Sequence, residues 1–352
     1  MPKETMTPLE RWQAVLARKK PDRIPMDYWA TTETTRMLMK HLGCATKWQM
    51  FKKLHVDFLY HVEPEYTGPK LRRNHDVFGC RYRRVRYSTG VYEECMSHPL
   101  AGYHTVEEIE KHYRWPDPDW WDYGCLPQKL KGKERYPVAG GAYEPFLLYK
   151  KLRGEEQAFV DLIRNPDIVH YCLEHLFLLG YEEFIRVFEQ LQDRVLCSYV
   201  SEDMGAQTDL MISADQIRKF LLPGMRKMID LAHQAGAYVF HHNDGSIRRI
   251  IPDMILCGID ILNPIQWRCG NMDRKELKRD FGHQVILHGG VDNQHTLPFG
   301  SVQDVKQEVK YNLQILGADG GYILAPCHNI QPLTPVDNIL AMYETGFEMG
   351  WT

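Results

Sequence analysis

Short apolar runs recur along the chain, each followed by a polar cluster and most separated by stretches of helical periodicity. The runs are Arg23–Tyr28, Val56–Val62, Tyr136–Ala139, Val195–Val200, Ala237–His241, Ile259–Asn263, Val285–His288 and Gly321–Ala325. Each is short and rich in β-branched or aromatic residues, which predicts a strand. The intervening stretches carry helix-start signals. Thr7-Pro8-Leu9-Glu10 and Ser213-Ala214-Asp215-Gln216 are capping-box patterns. The second opens a helical stretch to Ala235 that Pro223 interrupts, with Gly236 suited to a left-handed C-terminal position. Ser301 to Leu316 closes on Gly317 in the same way, and Thr334-Pro335 opens a last helix to about Tyr343. Strands alternating with helices predict an α/β chain forming a (β/α)8 barrel. One segment departs from the alternation. Cys80–Cys95 alternates polar and apolar residues around Ser88-Thr89-Gly90, which predicts a β-hairpin inserted after the second strand, about residues 80–95.

Composition narrows the class without naming a function. The 352 residues are 44% hydrophobic and 25% charged, with a net charge of −3, which excludes long disorder and gives no basic surface for nucleic acid. No low-complexity linker divides the chain, so a single domain over residues 1–352 is expected. The start, Met1 to Pro8, lacks the apolar core of a secretory signal, and no run approaches the ~18 apolar residues of a membrane span. A cytoplasmic protein without a membrane partner is expected. The 9 Cys are odd in number and contain no Cys-x-x-Cys pair, so reduced, mostly packed thiols are expected rather than a disulfide framework.

With 16 His beside those thiols, the strand ends are where chemistry is sought, because barrel enzymes work in the loops after their strands. His242 and Asp244, two apart on extended backbone, point to one side, and both are zinc donors. Cys327 offers a thiolate from another strand end, which would complete a three-ligand site with an open position. The competing reading is a hydrogen-bonded His242–Asp244 pair and a packed thiol. His241, His288 and His328 are reserve candidates. Glu202 and Asp203 are candidates for general base, further ligand or hydrogen-bonding partner, or else an acidic pair complementing a helix dipole. Trp29, Glu63, Asn263, Gln266 and His288 fall at strand ends as candidate substrate contacts, and His288 also suits an outer position behind a ligand. Trp115, Trp120 and Trp121 flank a Pro-Asp-rich segment that reads as a surface loop, a lid or pocket anchors. Gly320-Gly321 reads as a turn, and Arg81 to Arg86 as a solvated hairpin face.

Together these segments resemble the uroporphyrinogen decarboxylase superfamily, in particular its corrinoid-linked methyltransferase branch. The resemblance runs over nearly the whole chain: Lys20-Pro21-Asp22-Arg23-Ile24-Pro25, Asp76-Val77-Phe78-Gly79, Glu202-Asp203-Met204-Gly205, His242-Asn243-Asp244-Gly245, Gly258 to Gln266, Gly289-Gly290-Val291-Asp292 and Ala325 to Pro332. It implies a distorted TIM barrel with the active site at its C-terminal mouth, and it leaves room for a homodimer. In that branch zinc sits on a His-x-Cys pair plus a later Cys. The matching positions here are His242, Asp244 and Cys327, so Asp244 departs from the cysteine and implies a harder site. The decarboxylase branch matches less well. Its arginine-bearing segment after the first strand is replaced by Tyr28-Trp29-Ala30-Thr31-Thr32-Glu33, and its aspartate after the second strand by His61-Val62-Glu63.

The resemblance implies a zinc-dependent methyltransferase. It would move a methyl group between a small substrate (a methoxylated compound, methylamine or thiol) and a corrinoid. No Asp-x-His-x-x-Gly segment is present, so the corrinoid is expected on a separate partner protein. The alternatives are a decarboxylase-like lyase using Glu202, Asp203 and His242 as acid and base, and a non-catalytic corrinoid- or porphyrin-binding protein on the same fold.

Overall fold

The computed structural model describes residues 3–87 and 90–352. Seven parallel strands form one curled sheet in chain order: β1 (Tyr60–Val62), β2 (Val138–Tyr143), β3 (Cys197–Val200), β4 (Tyr238–His242), β5 (Ile261–Asn263), β6 (Ile286–Val291) and β7 (Tyr322–Pro326). Each overlaps a run that the hydrophobic pattern marks as a strand. The first run behaves differently. Pro25 has no amide to give a ladder, and the segment makes single bridges rather than a full strand. It is nonetheless bonded on both sides. The Asp27 amide donates to the Leu324 carbonyl (2.9 Å), and the Asp57 amide donates to the Met26 carbonyl (2.7 Å). Residues 25–27 therefore link β7 to the approach to β1.

Alternation along these strands divides the core in two. Leu59, Ala139, Cys197, Tyr199, Phe240, Ile261, Ile286 and Ile323 pack together inside the curl of the sheet with Trp12. Their neighbours Val62, Val138, Val239, Leu262, Leu287 and Leu324 face the surrounding helices. Trp12 comes from the helix Pro8–Leu16, which closes the N-terminal end of the curl. That helix starts where its capping box requires: Thr7 Oγ1 accepts from the Glu10 amide (3.2 Å), and Glu10 Oε2 accepts from the Thr7 amide (2.7 Å). Trp12 is fully buried, and its indole N–H donates to the Asp57 carbonyl (2.7 Å), so truncation to alanine should cost about 3–5 kcal/mol.

Other helix signals resolve with two corrections. Ser213 caps its helix with Gln216, but Pro223 is accommodated by a π-helical turn, Ile217–Leu221, before Leu222–Gln234 continues the helix. Gly236 is left-handed (φ +79°), as expected. Gly317 has no positive φ; a Cβ there would collide with the Leu313 carbonyl oxygen and lie 2.6 Å from Ile24 Cδ1. The last helix, Val336–Met349, runs past Tyr343, and its Gly346 packs a bare backbone against Met26 and Leu324.

Arg81–Tyr87 and Gly90–Ser97 pair antiparallel, from Arg81↔Ser97 to Tyr87↔Gly90. The turn expected at Ser88-Thr89 lies outside the described residues. The arginine run is a solvated face, with Arg83 paired to Glu94 (2.7 Å) and Arg84 to Glu93 (3.4 Å). Among the described residues no helix is long and apolar enough to cross a membrane.

Candidate functional site

The polar residues that follow the strands gather at the C-terminal end of the sheet. β4 ends on His241-His242, and the pleat sends their side chains apart. His241 turns into the protein, where its Nδ1 meets the Val200 carbonyl (2.6 Å) and burial lowers its pKa to about 4. His242 turns to the mouth. Its Nε2 lies 3.8 Å from Asp203 Oδ1 and 3.9 Å from Asp244 Oδ1, while His328 Nε2 lies 3.8 Å from Asp244 Oδ2. Donor atoms of His242, Asp244 and His328 all fall within 4.8 Å of one another, a grouping able to hold a metal ion.

Two loops fix this geometry. The Asp244 amide donates to Asp203 Oδ1 (3.0 Å), and the Ser246 amide donates to the Ala206 carbonyl (2.7 Å). Gly205 and Gly245 stand back to back. A Cβ on Gly205 would lie 2.5 Å from the Asp244 carbonyl oxygen, and one on Gly245 (φ +87°) would lie 2.5 Å from Gly205 C. Gln266 holds the aspartate from a third side: its Nε2 donates to Asp244 Oδ1 (2.7 Å) and its Oε1 accepts from the Gly245 amide (2.6 Å). Behind His242, Trp29 stacks on the imidazole with centroids 5.4 Å apart.

The electrostatics are one-sided. Burial raises the Asp244 pKa, and the Asp203 charge adds to that against the pull of His242 and His328. Burial also raises Glu144, at the start of the helix Pro145–Arg153; the His242 charge opposes this and the Asp203 charge adds to it. Burial lowers His328. Among the described residues, the only ion pairs of Asp203 and Asp244 are with His242 and His328. A cluster of this kind fits a divalent cation by its donor chemistry: two imidazoles, one or two carboxylates and no competing Lys or Arg.

Several sequence candidates stand elsewhere than expected. The Cys327 thiol donates to the Ile265 carbonyl (3.2 Å), and burial pushes its pKa well up, so His328, one residue on, joins His242 and Asp244 in its place. Glu202 is buried, with Oε1 accepting from the Phe146 amide (2.6 Å) and Oε2 from the Leu147 amide (3.3 Å). It anchors a helix start instead of facing the mouth as a base would. Burial raises its pKa well above the usual range despite those bonds. Asn263 and His288 are buried behind His242, out of reach of a substrate. Gln266 is engaged with Asp244. Asp203 and Trp29 do face the cluster. Glu63 lies apart from it, lining a cavity of about 170 Å3 with His61, Trp121, Gly141 and Glu183. There burial and the Glu63 charge raise Glu183 to about 7. Trp121 is thus a pocket residue, whereas Trp115 stacks on His175 at 4.8 Å. Asp27 and Glu144 were not read as site residues; neither has a neighbour in sequence that reveals what it faces.

Comparison with known proteins fits this picture. The profile of the family described as Uroporphyrinogen decarboxylase (URO-D) matches residues 125–348. The protein named "Methylcobamide:CoM methyltransferase MtaA" of Methanosarcina barkeri is 24% identical over 301 residues, covering 80% of this chain and 84% of that one. A "Uroporphyrinogen decarboxylase" of Solibacter usitatus is 25% identical over 210 residues, covering 59% of this chain and 54% of that one. A solved methyltransferase from Methanosarcina mazei shares the fold, with a TM-score of 0.68 at 20% identity over 97% of this chain and 99% of that one. The chain belongs to the uroporphyrinogen decarboxylase family, and within it is an enzyme of the methyltransferase branch.

Proposed function

We propose that this enzyme moves a methyl group between a small substrate and a corrinoid carried on a separate protein, with a divalent metal, zinc in the first instance, at the mouth. The observation that carries the metal reading is the pairing of Asp203 and Asp244 with histidines alone among the described residues. His242, Asp244 and His328 would hold the ion, and Asp203 stands ready as a fourth donor. When bound, the metal supplies Lewis acidity that lowers the pKa of a thiol or stabilises a leaving oxygen. Gln266 keeps one Asp244 oxygen occupied and so fixes the direction of the other. Trp29 covers one face of His242 and excludes water from it. The methyl donor or acceptor is read as a methoxylated compound, a methylamine or a thiol.

The homology to a protein named for methylcobamide supports the corrinoid partner. A tetrapyrrole with several carboxylates is disfavoured at this mouth, because Asp203, Asp244 and Glu144 would repel it. We further read residues 1–352 as one domain. Its sheet would be closed by residues 25–27 into a distorted (β/α)8 TIM barrel, with the antiparallel pair Arg81–Tyr87 and Gly90–Ser97 as an insertion.

The test is metal content together with methyl transfer. The purified protein is assayed for zinc and incubated with free cob(I)alamin and a panel of methoxylated compounds and methylamines, then with methylcobalamin and thiols, read by absorbance. One zinc per chain and formation or loss of methylcobalamin support the reading. A folded protein that converts these substrates without any metal overturns the metal assignment. Release of carbon dioxide from a carboxylated porphyrinogen overturns the methyl-transfer assignment.

A further inference from the structure

Behind His242 runs a line of buried hydrogen bonds. Asn263, at the end of β5, has its Oδ1 2.6 Å from His242 Nδ1. Its Nδ2 is 2.7 Å from His288 Nδ1, in β6. His288 Nε2 is 3.1 Å from Asp27 Oδ2. Asp27 lies in the first extended segment, 261 residues away in sequence. Asp27, Asn263 and His288 are each no more than 1% exposed.

The direction of every bond follows from the carboxylate. Burial pushes the Asp27 carboxyl up, but hydrogen bonds from His288, the Tyr28 amide and the Trp29 indole outweigh it and hold the group below its ordinary range. An ionised carboxylate only accepts, so His288 Nε2 carries a proton. The amide NH2 of Asn263 faces the other ring nitrogen, Nδ1, which therefore accepts. The amide oxygen of Asn263 then faces His242, and His242 Nδ1 must donate to it. That leaves the lone pair of His242 on Nε2, aimed at Asp203, Asp244 and His328.

We propose that Asp27, His288 and Asn263 are positioning residues that set the tautomer of His242, presenting its Nε2 lone pair to the mouth. None of the three touches substrate. A ring nitrogen fixed by an outer hydrogen bond is the usual means of orienting a histidine ligand. Here the orienting charge lies two residues behind the amide that touches the ligand. The geometry stands without the metal; the consequence for metal affinity rests on the reading given above.

The test begins with the metal-free protein labelled with 15N-histidine. Long-range proton–nitrogen correlation spectra report which nitrogen of His242 carries the proton. The expected result is Nδ1–H in the wild type and in Asn263→Asp, which keeps an acceptor at that point. Asn263→Leu and His288→Phe should give mixed tautomers. A proton on Nε2 in the wild type, or an unchanged tautomer in Asn263→Leu, overturns the proposal. Titration with zinc or cobalt(II) follows. Asn263→Leu should bind roughly 10–100-fold more weakly, and Asn263→Asp close to the wild type. Equal weakening in both variants, with the fold intact by circular dichroism, overturns it. If the wild type shows the expected tautomer yet binds no metal, the relay stands and the metal reading falls.

Discussion

Two clusters of charge sit at opposite ends of the same sheet, and they are built to different standards. At the N-terminal end, Arg11 Nε meets Asp22 Oδ1 at 2.6 Å and Arg11 Nη1 meets Asp57 Oδ1 at 2.5 Å. Arg23 Nη1 meets Asp57 Oδ2 at 2.7 Å, and Arg23 Nη2 meets Glu4 Oε1 at 2.8 Å. Burial pushes Asp22 up, but the Arg11 hydrogen bond and the Met6 and Thr5 amides hold its carboxyl far below the usual range. At the C-terminal end, the corresponding distances among His242, His328, Asp203 and Asp244 are 3.8–3.9 Å, beyond hydrogen bonding. Arginine–carboxylate contacts are closed at one end; at the other the carboxylates accept from the Asp244 amide and from Gln266, and their contacts with the histidines stay open. The first arrangement clamps the N-terminal helix to the sheet. The second keeps two carboxylates side by side with only histidines as ion partners among the described residues.

The largest expected effect tests the clamp. Arg11→Met leaves Asp22 and Asp57 short of a partner and should cost about 3–5 kcal/mol in urea unfolding. Asp203→Asn at the mouth should leave the metal-free protein unchanged or more stable by about 1 kcal/mol, because the amide oxygen still accepts from Asp244 while the like charge is gone. Equal losses in the two variants would erase the contrast between the ends.

The next effect concerns metal. His328→Ala should weaken binding more than about 100-fold, since even an outer partner contributes 10–100-fold. Cys327→Ala should leave it unchanged. Zinc retained in His328→Ala and lost in Cys327→Ala would restore the thiolate to the site.

An intermediate case is Glu183, which makes no ion pair among the described residues and lies in the separate cavity. Burial and the Glu63 charge raise its carboxyl to about 7, above the ordinary range of about 4.5. The raised value means a stabilising contribution fully present below about pH 4.5 and lost as pH rises through 7. Glu183→Gln should flatten that part of the stability profile and gain about 1–2 kcal/mol at pH 8. A profile between pH 4.5 and 8 that does not change on substitution removes Glu183 from the account. The smallest effect is the exposed pair Arg83–Glu94, where Arg83→Ala should change stability by less than about 0.5 kcal/mol. A larger loss would mean that exposure is a poor guide to which pairs matter in this protein.

The strands were legible because each buries both faces or alternates cleanly, so short apolar runs mark them. The mouth was legible only in part. Residue type favoured Cys327 as a ligand, but the strand β7 ends at Pro326, and side-chain direction after it assigns the mouth to His328. That one-residue choice is made by the bend after the strand and cannot be weighed from donor chemistry. Glu202 and Asp203 are adjacent and chemically alike, yet backbone direction buries the first under a helix start and exposes the second to His242. Asp27 was out of reach for another reason: its partner His288 comes 261 residues later, and only folding places them together.

The back-to-back glycines have a practical consequence for anyone who randomises this mouth. Positions 205 and 245 will tolerate almost no other residue, because any side chain there drives one loop off the other. A saturation library over residues 203–207 and 242–246, sorted for folded protein, should therefore be empty at positions 205 and 245. Survivors with a new substrate should keep both glycines and carry their changes at the neighbouring positions.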